Sequence, residues 1–128
     1  MFENLEIFRM SAALARYGGQ KQAVIAQNVA NADTPGYRAR DLPAFDTLYT
    51  QRGASAAQKA TRAGHMNGAR EGQAALIPVE AGGQDSPNGN QVSLETEMLK
   101  SVEAKRSHDR ALAIYKSSLG ILRSAIRT

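Results

Sequence analysis

All four prolines of this chain, and eight of its eleven glycines, lie between residues 35 and 90. Helix-ending residues crowded into the middle, with long proline-free segments on either side, divide the chain into helix, irregular stretch and helix. The divisions fall at 1–42 (an N-terminal helix followed by a turn motif), 43–92 (an irregular middle) and 93–128 (a C-terminal helix). The expected fold is all-α: two long terminal helices packed as a coiled-coil pair, with the two ends forming one structural domain.

The first helix is read from about Leu5 to Asn31. Ile7, Met10, Leu14, Tyr17, Val24 and Asn28 recur at alternating three- and four-residue steps once Lys21 is admitted to the series. Phe8, Ala15, Ile25 and Val29 lie beside them and widen the stripe. This is the pattern of a helix with one buried face. Gly18-Gly19 interrupts it, at a cost of ~1 kcal/mol per glycine relative to alanine. Either two helices meet there, or the missing side chains let a neighbouring backbone come close, and the sequence leaves both open.

The last segment keeps the same alternation through Met98, Ser101, Lys105, His108, Leu112, Tyr115, Leu119, Leu122 and Ile126. Ser93 is suited to cap its N-terminus, and Glu95 and Glu97 put negative charge where the helix dipole favours it. Arg123 and Arg127 complement the far end. A helix from Leu94 to Arg127 is ~50 Å long at 1.5 Å per residue, and its apolar stripe is too narrow to bury itself. It needs a partner helix, and the N-terminal helix, ~40 Å long, carries the same kind of seam. Ile7, Leu14, Val24, Leu112, Leu119, Leu122 and Ile126 are therefore assigned to helix pairing and assembly. Two paired helices still leave apolar flanks, such as Phe8, Ile25, Val102 and Ile114, which read as surfaces for neighbouring subunits.

The middle, from about Thr47 to Gly89, is rich in Ala, Gly and Gln and shows no sustained period. Such a stretch buries too little to offset the entropy of ordering it, so it is expected to be mobile in the free monomer. The short apolar run from Ala74 to Val79 is the one candidate for an extended strand.

Chemistry is sparse. There is no cysteine, which removes disulfides and thiolate metal sites. The two histidines, His65 and His108, have no second ligand at metal-binding spacing. His108 and Asp109 are helix neighbours that point about 100° apart, so the histidine reads as a partly buried seam residue. Asp41 and Asp46 are five residues apart in a loop, without the arrangement that paired acid/base work needs. Phosphate loops, nucleophile elbows and dinucleotide fingerprints are absent. No catalytic, cofactor-binding or metal-binding residues are assigned, and no cofactor is implied.

The net charge of +4 is concentrated in residues 93–128, which hold seven basic and four acidic groups. Interspersed Glu makes this a solvated helix face rather than a nucleic-acid footprint. No apolar run approaches the ~20 residues needed to span a bilayer. The opening Met1-Phe2-Glu3-Asn4-Leu5-Glu6 is acidic where a secretory signal is basic. The expectation is a cytoplasmic protein, or one exported without a cleaved signal.

The most specific string is Asn28-Val29-Ala30-Asn31-Ala32-Asp33-Thr34-Pro35-Gly36-Tyr37. Physically it is a helix end and a sharp exit. Thr34 before a proline is pushed to extended geometry, and Pro35-Gly36 suits the central positions of a type II turn. Tyr37 can then fold back on the helix it has left, while Asn28 and Asn31 can reach the last carbonyls or a neighbouring helix.

This string closely resembles the signature of the flagellar basal-body rod protein family. The continuation Arg38-Ala39-Arg40-Asp41, the stretch from Gly89 to Met98 and the ending Leu122-Arg123-Ser124-Ala125-Ile126 resemble the branch that forms the proximal rod. The resemblance covers roughly 5–46 and 86–127. It implies a non-enzymatic subunit of the periplasmic rod, exported by the flagellar type III apparatus and assembling helically to carry torque from motor to hook. The partners it implies are copies of this chain, other rod proteins, and the rod adaptor and export-gate or membrane-ring proteins at the base, with no nucleic acid and no membrane span. Asn28, Asn31, Thr34, Pro35, Gly36 and Tyr37 would set the exit geometry. The alternative is a soluble helical adaptor that binds a partner helix in its groove.

Overall fold

The computed structural model describes residues 2–54 and 76–126. In chain order these form α1 (Phe2–Ala30), β1 (Arg40–Asp41), α2 (Phe45–Ala54), β2 (Val79–Glu80) and α3 (Leu94–Ile126). The architecture is all-α, with the long terminal helices packed together and one minimal strand pair beside their junction. Pairs formed by successive positions run in opposite directions along the two helices. Asn28 meets Glu97, Gly18 lies against His108, and Phe8 stacks edge-on against Tyr115 with centroids 5.2 Å apart. The helices are therefore antiparallel.

Both helices begin and end for local reasons. The Ser93 carbonyl accepts the first helical bond of α3 from the Glu97 amide at 3.0 Å, as an N-cap residue does. Glu95 and Glu97 fill the first turn and Arg123 the last, complementing the dipole. At the end of α1 the hydrogen bonds tighten. The Asn31 amide is shared between the carbonyls of Gln27 and Asn28, and that of Ala32 reaches Val29. Pro35 then prevents continuation.

α1 is unbroken through Gly18-Gly19, and the two glycines differ. A Cβ on Gly18 would stand 3.1 Å from the His108 Cβ and 3.3 Å from the Ala104 carbonyl, whereas one on Gly19 would meet nothing within 4 Å. Of the two readings left open by the sequence, close backbone approach is the one realised, and at Gly18 only.

The apolar core lies a step round α1 from that contact. Tyr17, Val24 and Leu42 are buried, with Leu14, Phe45, Leu48 and Leu76 packed against them. The Tyr17 hydroxyl donates to the Pro43 carbonyl at 2.9 Å, and its ring lies 5.5 Å from that of Phe45. These contacts hold α2, a helix in a stretch assigned from sequence to the irregular middle. Phe45 and Leu48 gain burial against α1, which local periodicity does not register. β1 and β2 pair antiparallel, Arg40 opposite Glu80 and Asp41 opposite Val79. The extended run expected over 74–79 is described only from Leu76 onward, and β2 covers its end. Much of the segment expected to be mobile falls at 55–75, outside the described residues.

The buried side of α3 differs from the series read in the sequence. Its buried residues are Glu97, Ala104 and Ala111, each one position before Met98, Lys105 and Leu112, which are all exposed. The seam is built from small side chains because α3 lies close to Gly18, and the larger apolar residues are displaced to its flank. Ile25, read as part of an outward flank, is 5% exposed and lies inside. It shares a heptad-spaced face with Ser11 and Gly18. Phe8 and Ile114 are half-buried, and Val102 is exposed.

This contrast gives a paired prediction. Gly19→Ala should raise stability by up to ~1 kcal/mol through helix propensity. Gly18→Val should lower it by roughly 1–3 kcal/mol, because the added atoms push into α3. Urea melts followed by helical circular dichroism should show opposite shifts in midpoint.

Candidate functional site at the helix junction

The polar residues of the chain converge where α1 ends and α3 begins. Asn28, fully buried in the last turns of α1, makes four hydrogen bonds. Its amide donates to the Arg40 carbonyl at 2.7 Å and to Glu97 Oε2 at 3.0 Å. Its Oδ1 accepts from the Arg40 backbone N–H at 3.0 Å and from the Tyr37 hydroxyl at 3.3 Å. Using both backbone groups of Arg40, the side chain pairs with β1 as a strand neighbour would, while its remaining donor reaches across to α3. This fills the hydrogen-bonding capacity of a carboxamide.

The turn follows at once. Tyr37 N–H donates to the Thr34 carbonyl at 3.3 Å, and Gly36 has φ +71°. A positive φ at the third position, after Pro35, is what a type II turn requires. Asn31 supports this exit. Its amide donates to the Gln27 carbonyl at 2.8 Å, and its Oδ1 accepts from the Thr34 hydroxyl at 3.3 Å.

A second buried asparagine closes the junction from the other side. Asn90, 2% exposed, directs its amide at the carbonyls of Asn31, Ala32 and Thr34, at 2.9, 2.8 and 2.8 Å. These carbonyls belong to the turn that follows α1, and a side chain far away in sequence ties that turn to the start of α3. Its Oδ1 accepts from Val92 N–H at 2.7 Å. The turn around Asn90 also docks by its backbone: Gly36 N–H donates to the Asn88 carbonyl and Gln91 N–H to the Tyr37 carbonyl, both at 3.1 Å.

Glu97 joins this frame to a set of charges. It is 2% exposed and takes Lys100 at 3.1 Å. Lys100 also meets Asp41 at 3.2 Å, and Asp41 lies 3.7 Å from Lys21. Two carboxylates face two ammonium groups, so the cluster is balanced, as buried charge must be. Burial alone would lower the pKa of Lys100, but hydrogen bonds to Glu97 and Asp41, with the charges of both, outweigh it and hold the pKa above the ordinary 10.5.

The sequence-assigned pairing residues are distributed as follows. Val24 is buried in the core with Tyr17 and Leu42, and Leu14 packs on that core. Leu119 and Leu122 are half-buried. Ile7, Leu112 and Ile126 are exposed. The turn residues Asn28, Asn31, Thr34, Pro35, Gly36 and Tyr37 come together at the junction. Sequence reasoning missed Asn90 and the pairing of Glu97 with Lys100. Glu97 entered the sequence reading only as negative charge in the first turn of α3, which helix-dipole logic had already accounted for.

Asn28, Asn90 and Glu97 thus form a polar clamp on the junction whose groups are directed at one another, and no buried side-chain polar atom lacks a partner among the described residues. Among them no three metal-ligating side chains cluster, and no helix is long and apolar enough to cross a membrane. The arrangement holds segments together.

The half of the clamp contributed by α1 and its exit lies within residues 19–38, which match the family model described as flagella basal body rod protein. Over 118 residues the chain is 30% identical to the flagellar basal body rod protein FlgB of Agrobacterium fabrum, covering 88% of this chain and 87% of that one. The chain belongs to the FlgB family of flagellar basal body rod proteins. It is also similar to FlgB of Aquifex aeolicus, 29% identical over 108 residues, covering 84% and 82% of the two chains. Membership makes it a structural subunit of the basal-body rod, not an enzyme, and one that assembles with other rod components.

Two predictions follow from the clamp. Asn28→Ala removes the partners of both Arg40 backbone groups and of Glu97 Oε2 and should cost roughly 1–3 kcal/mol or more, read as a lower urea midpoint. Lys100→Met isolates the pH dependence of the charge cluster. A base with a raised folded-state pKa adds stability that is complete below its unfolded pKa of ~10.4 and is lost as pH rises through the folded value. The wild type should therefore exceed Lys100→Met by a constant margin from neutral pH upward, a margin that shrinks only above about pH 10.5.

Proposed function

We propose that this rod protein is a proximal-rod subunit, assembled helically in the periplasm with copies of itself and with other rod proteins to transmit torque from motor to hook. The observation that carries this reading is the flank of α3. Leu94, Met98, Leu99, Val102 and Ile121 are all more than half exposed, on a helix whose buried apolar residues are two alanines. A run of large apolar side chains on one rod-like helix is an association surface rather than a scatter of surface leucines. Heterologous contacts that do not close produce a tubular filament. The end segments 1–42 and 93–128 act as the assembling unit, and 43–92 is an excursion from it. Ile7, Leu112 and Ile126 contribute to contacts between subunits, and Leu14, Val24, Leu119 and Leu122 to the helix pair. The adaptor and export-gate or membrane-ring proteins at the base of the rod are the further partners of this reading.

The test uses a strain deleted for this gene. Electron microscopy of its basal bodies should show membrane rings without a rod, restored by the intact gene. Met98→Asp/Val102→Asp should fail to restore rods, while the purified variant unfolds within about 0.5 kcal/mol of the wild type, as exposed substitutions do. Complete rods in the deletion strain would end this reading and favour the soluble helical adaptor.

A further inference from the structure

We propose that Asn28, Asn90 and Glu97 are positioning residues that set the register of α3 along α1. The small-residue seam sets it only weakly, because its buried ridge nearly repeats after one heptad. The buried ridge of α3 is Glu97, Ala104 and Ala111, continued by half-buried Ser118. If α3 slides by seven residues, ~10.5 Å along its axis, Ala111 enters the place of Ala104 and Ser118 that of Ala111. Tyr115 then stands against Gly18 where His108 stood. That contact does not discriminate, because Gly18 meets the Cα and Cβ of His108 and the carbonyl of Ala104, atoms common to nearly every residue. The Phe8–Tyr115 ring contact at the other end involves a half-buried and an exposed side chain, and water can replace it.

The polar end tells the two registers apart most sharply. The slide places the methyl group of Ala104 opposite the Asn28 amide in place of the Glu97 carboxylate. It also draws Asn90 away from the three carbonyls of the turn after α1. Asn28, Asn90 and Glu97 are 0%, 2% and 2% exposed, so water does not take over these hydrogen bonds without opening the junction. Buried polar groups fixing the register of paired helices are a known use of such groups, and here they work on a seam of small residues that decides it only weakly. The inference concerns two helices of one chain and stands independently of the rod reading.

The natural sequence lacks cysteine, so engineered disulfides in the full chain report the register. The pair Gly18→Cys/His108→Cys probes the observed register: its Cβ positions lie 3.1 Å apart, so a small outward shift of α3, common to every variant compared, brings them to disulfide spacing. The pair Gly18→Cys/Tyr115→Cys probes the register one heptad away. Each is oxidised at low protein concentration, and the intramolecular disulfide of the monomer is quantified by mass spectrometry. In the otherwise natural chain the 18–108 disulfide should dominate. In Glu97→Ala/Asn90→Ala, the ratio of 18–115 to 18–108 disulfide should rise roughly ten-fold or more. Replacing Glu97→Ala by Glu97→Gln, which keeps an acceptor for Asn28, should restore the original pattern. Three results would overturn the proposal: an unchanged ratio in the double alanine variant, no restoration by glutamine, or loss of the helical signal in the alanine variant, which would make the clamp a source of stability and not of register.

Discussion

One buried carboxamide organises the junction on which this fold depends. Asn28 bonds both backbone groups of Arg40, the Tyr37 hydroxyl and Glu97, thereby fixing the strand pair, the turn and the third helix with one side chain. Each bond contributes little net stability relative to water. Leaving any of these groups unpaired in the interior costs more, so the segments are held less by attraction than by the penalty for leaving. The same logic applies at Asn90, whose buried amide donates to three carbonyls of the turn after α1.

The two kinds of packing around α1 have different physical roles. Tyr17, Val24 and Leu42 with Leu14, Phe45, Leu48 and Leu76 form a conventional apolar cluster, where burying each large side chain is worth roughly 1.5–3 kcal/mol. Against α3, the contact is made by Gly18, Ala104 and Ala111, whose small surfaces yield less by burial but allow the backbones to come close. Close approach on one side forces the larger residues of α3 round to the other. The exposed Met98, Leu99 and Val102 are therefore a geometric consequence of a tight seam.

Much of this was legible in the sequence, and what was not has identifiable causes. The two helices announced themselves through proline-free periodic segments, and Pro35-Gly36 fixed the turn because few residue pairs suit φ near −65° followed by positive φ. The buried line of α3 was misplaced by one position because hydrophobic pattern reading ranks Met98 and Leu112 above Ala104 and Ala111. A glycine on the facing helix reverses that ranking. α2 was unread because its reason to be helical is Phe45 docking on Tyr17, a tertiary contact. Asn90 and Glu97 were invisible as partners for the same reason. A polar residue in one sequence carries no mark of the distant carbonyl or amide that it will satisfy.

Burial is also uneven around the helix pair, and that matters for a subunit of a larger assembly. At the junction end, both asparagines, Glu97, Ala104 and Ile25 are inside. Large apolar side chains are exposed along the whole pair, Leu94, Met98, Leu99 and Val102 near the junction and Ile7, Met10, Leu112, Tyr115, Ile121 and Ile126 toward the far end. The buried side-chain hydrogen bonds of Asn28 and Asn90 are concentrated at the junction, and regions dense in such contacts open locally at the highest cost. A rod subunit with its register fixed on the inner side of the helix pair and its large apolar side chains exposed on the other side of α3 keeps the two requirements of assembly apart. The clamp specifies how one copy folds, and the remaining large side chains stay free for contacts that only a neighbour can complete.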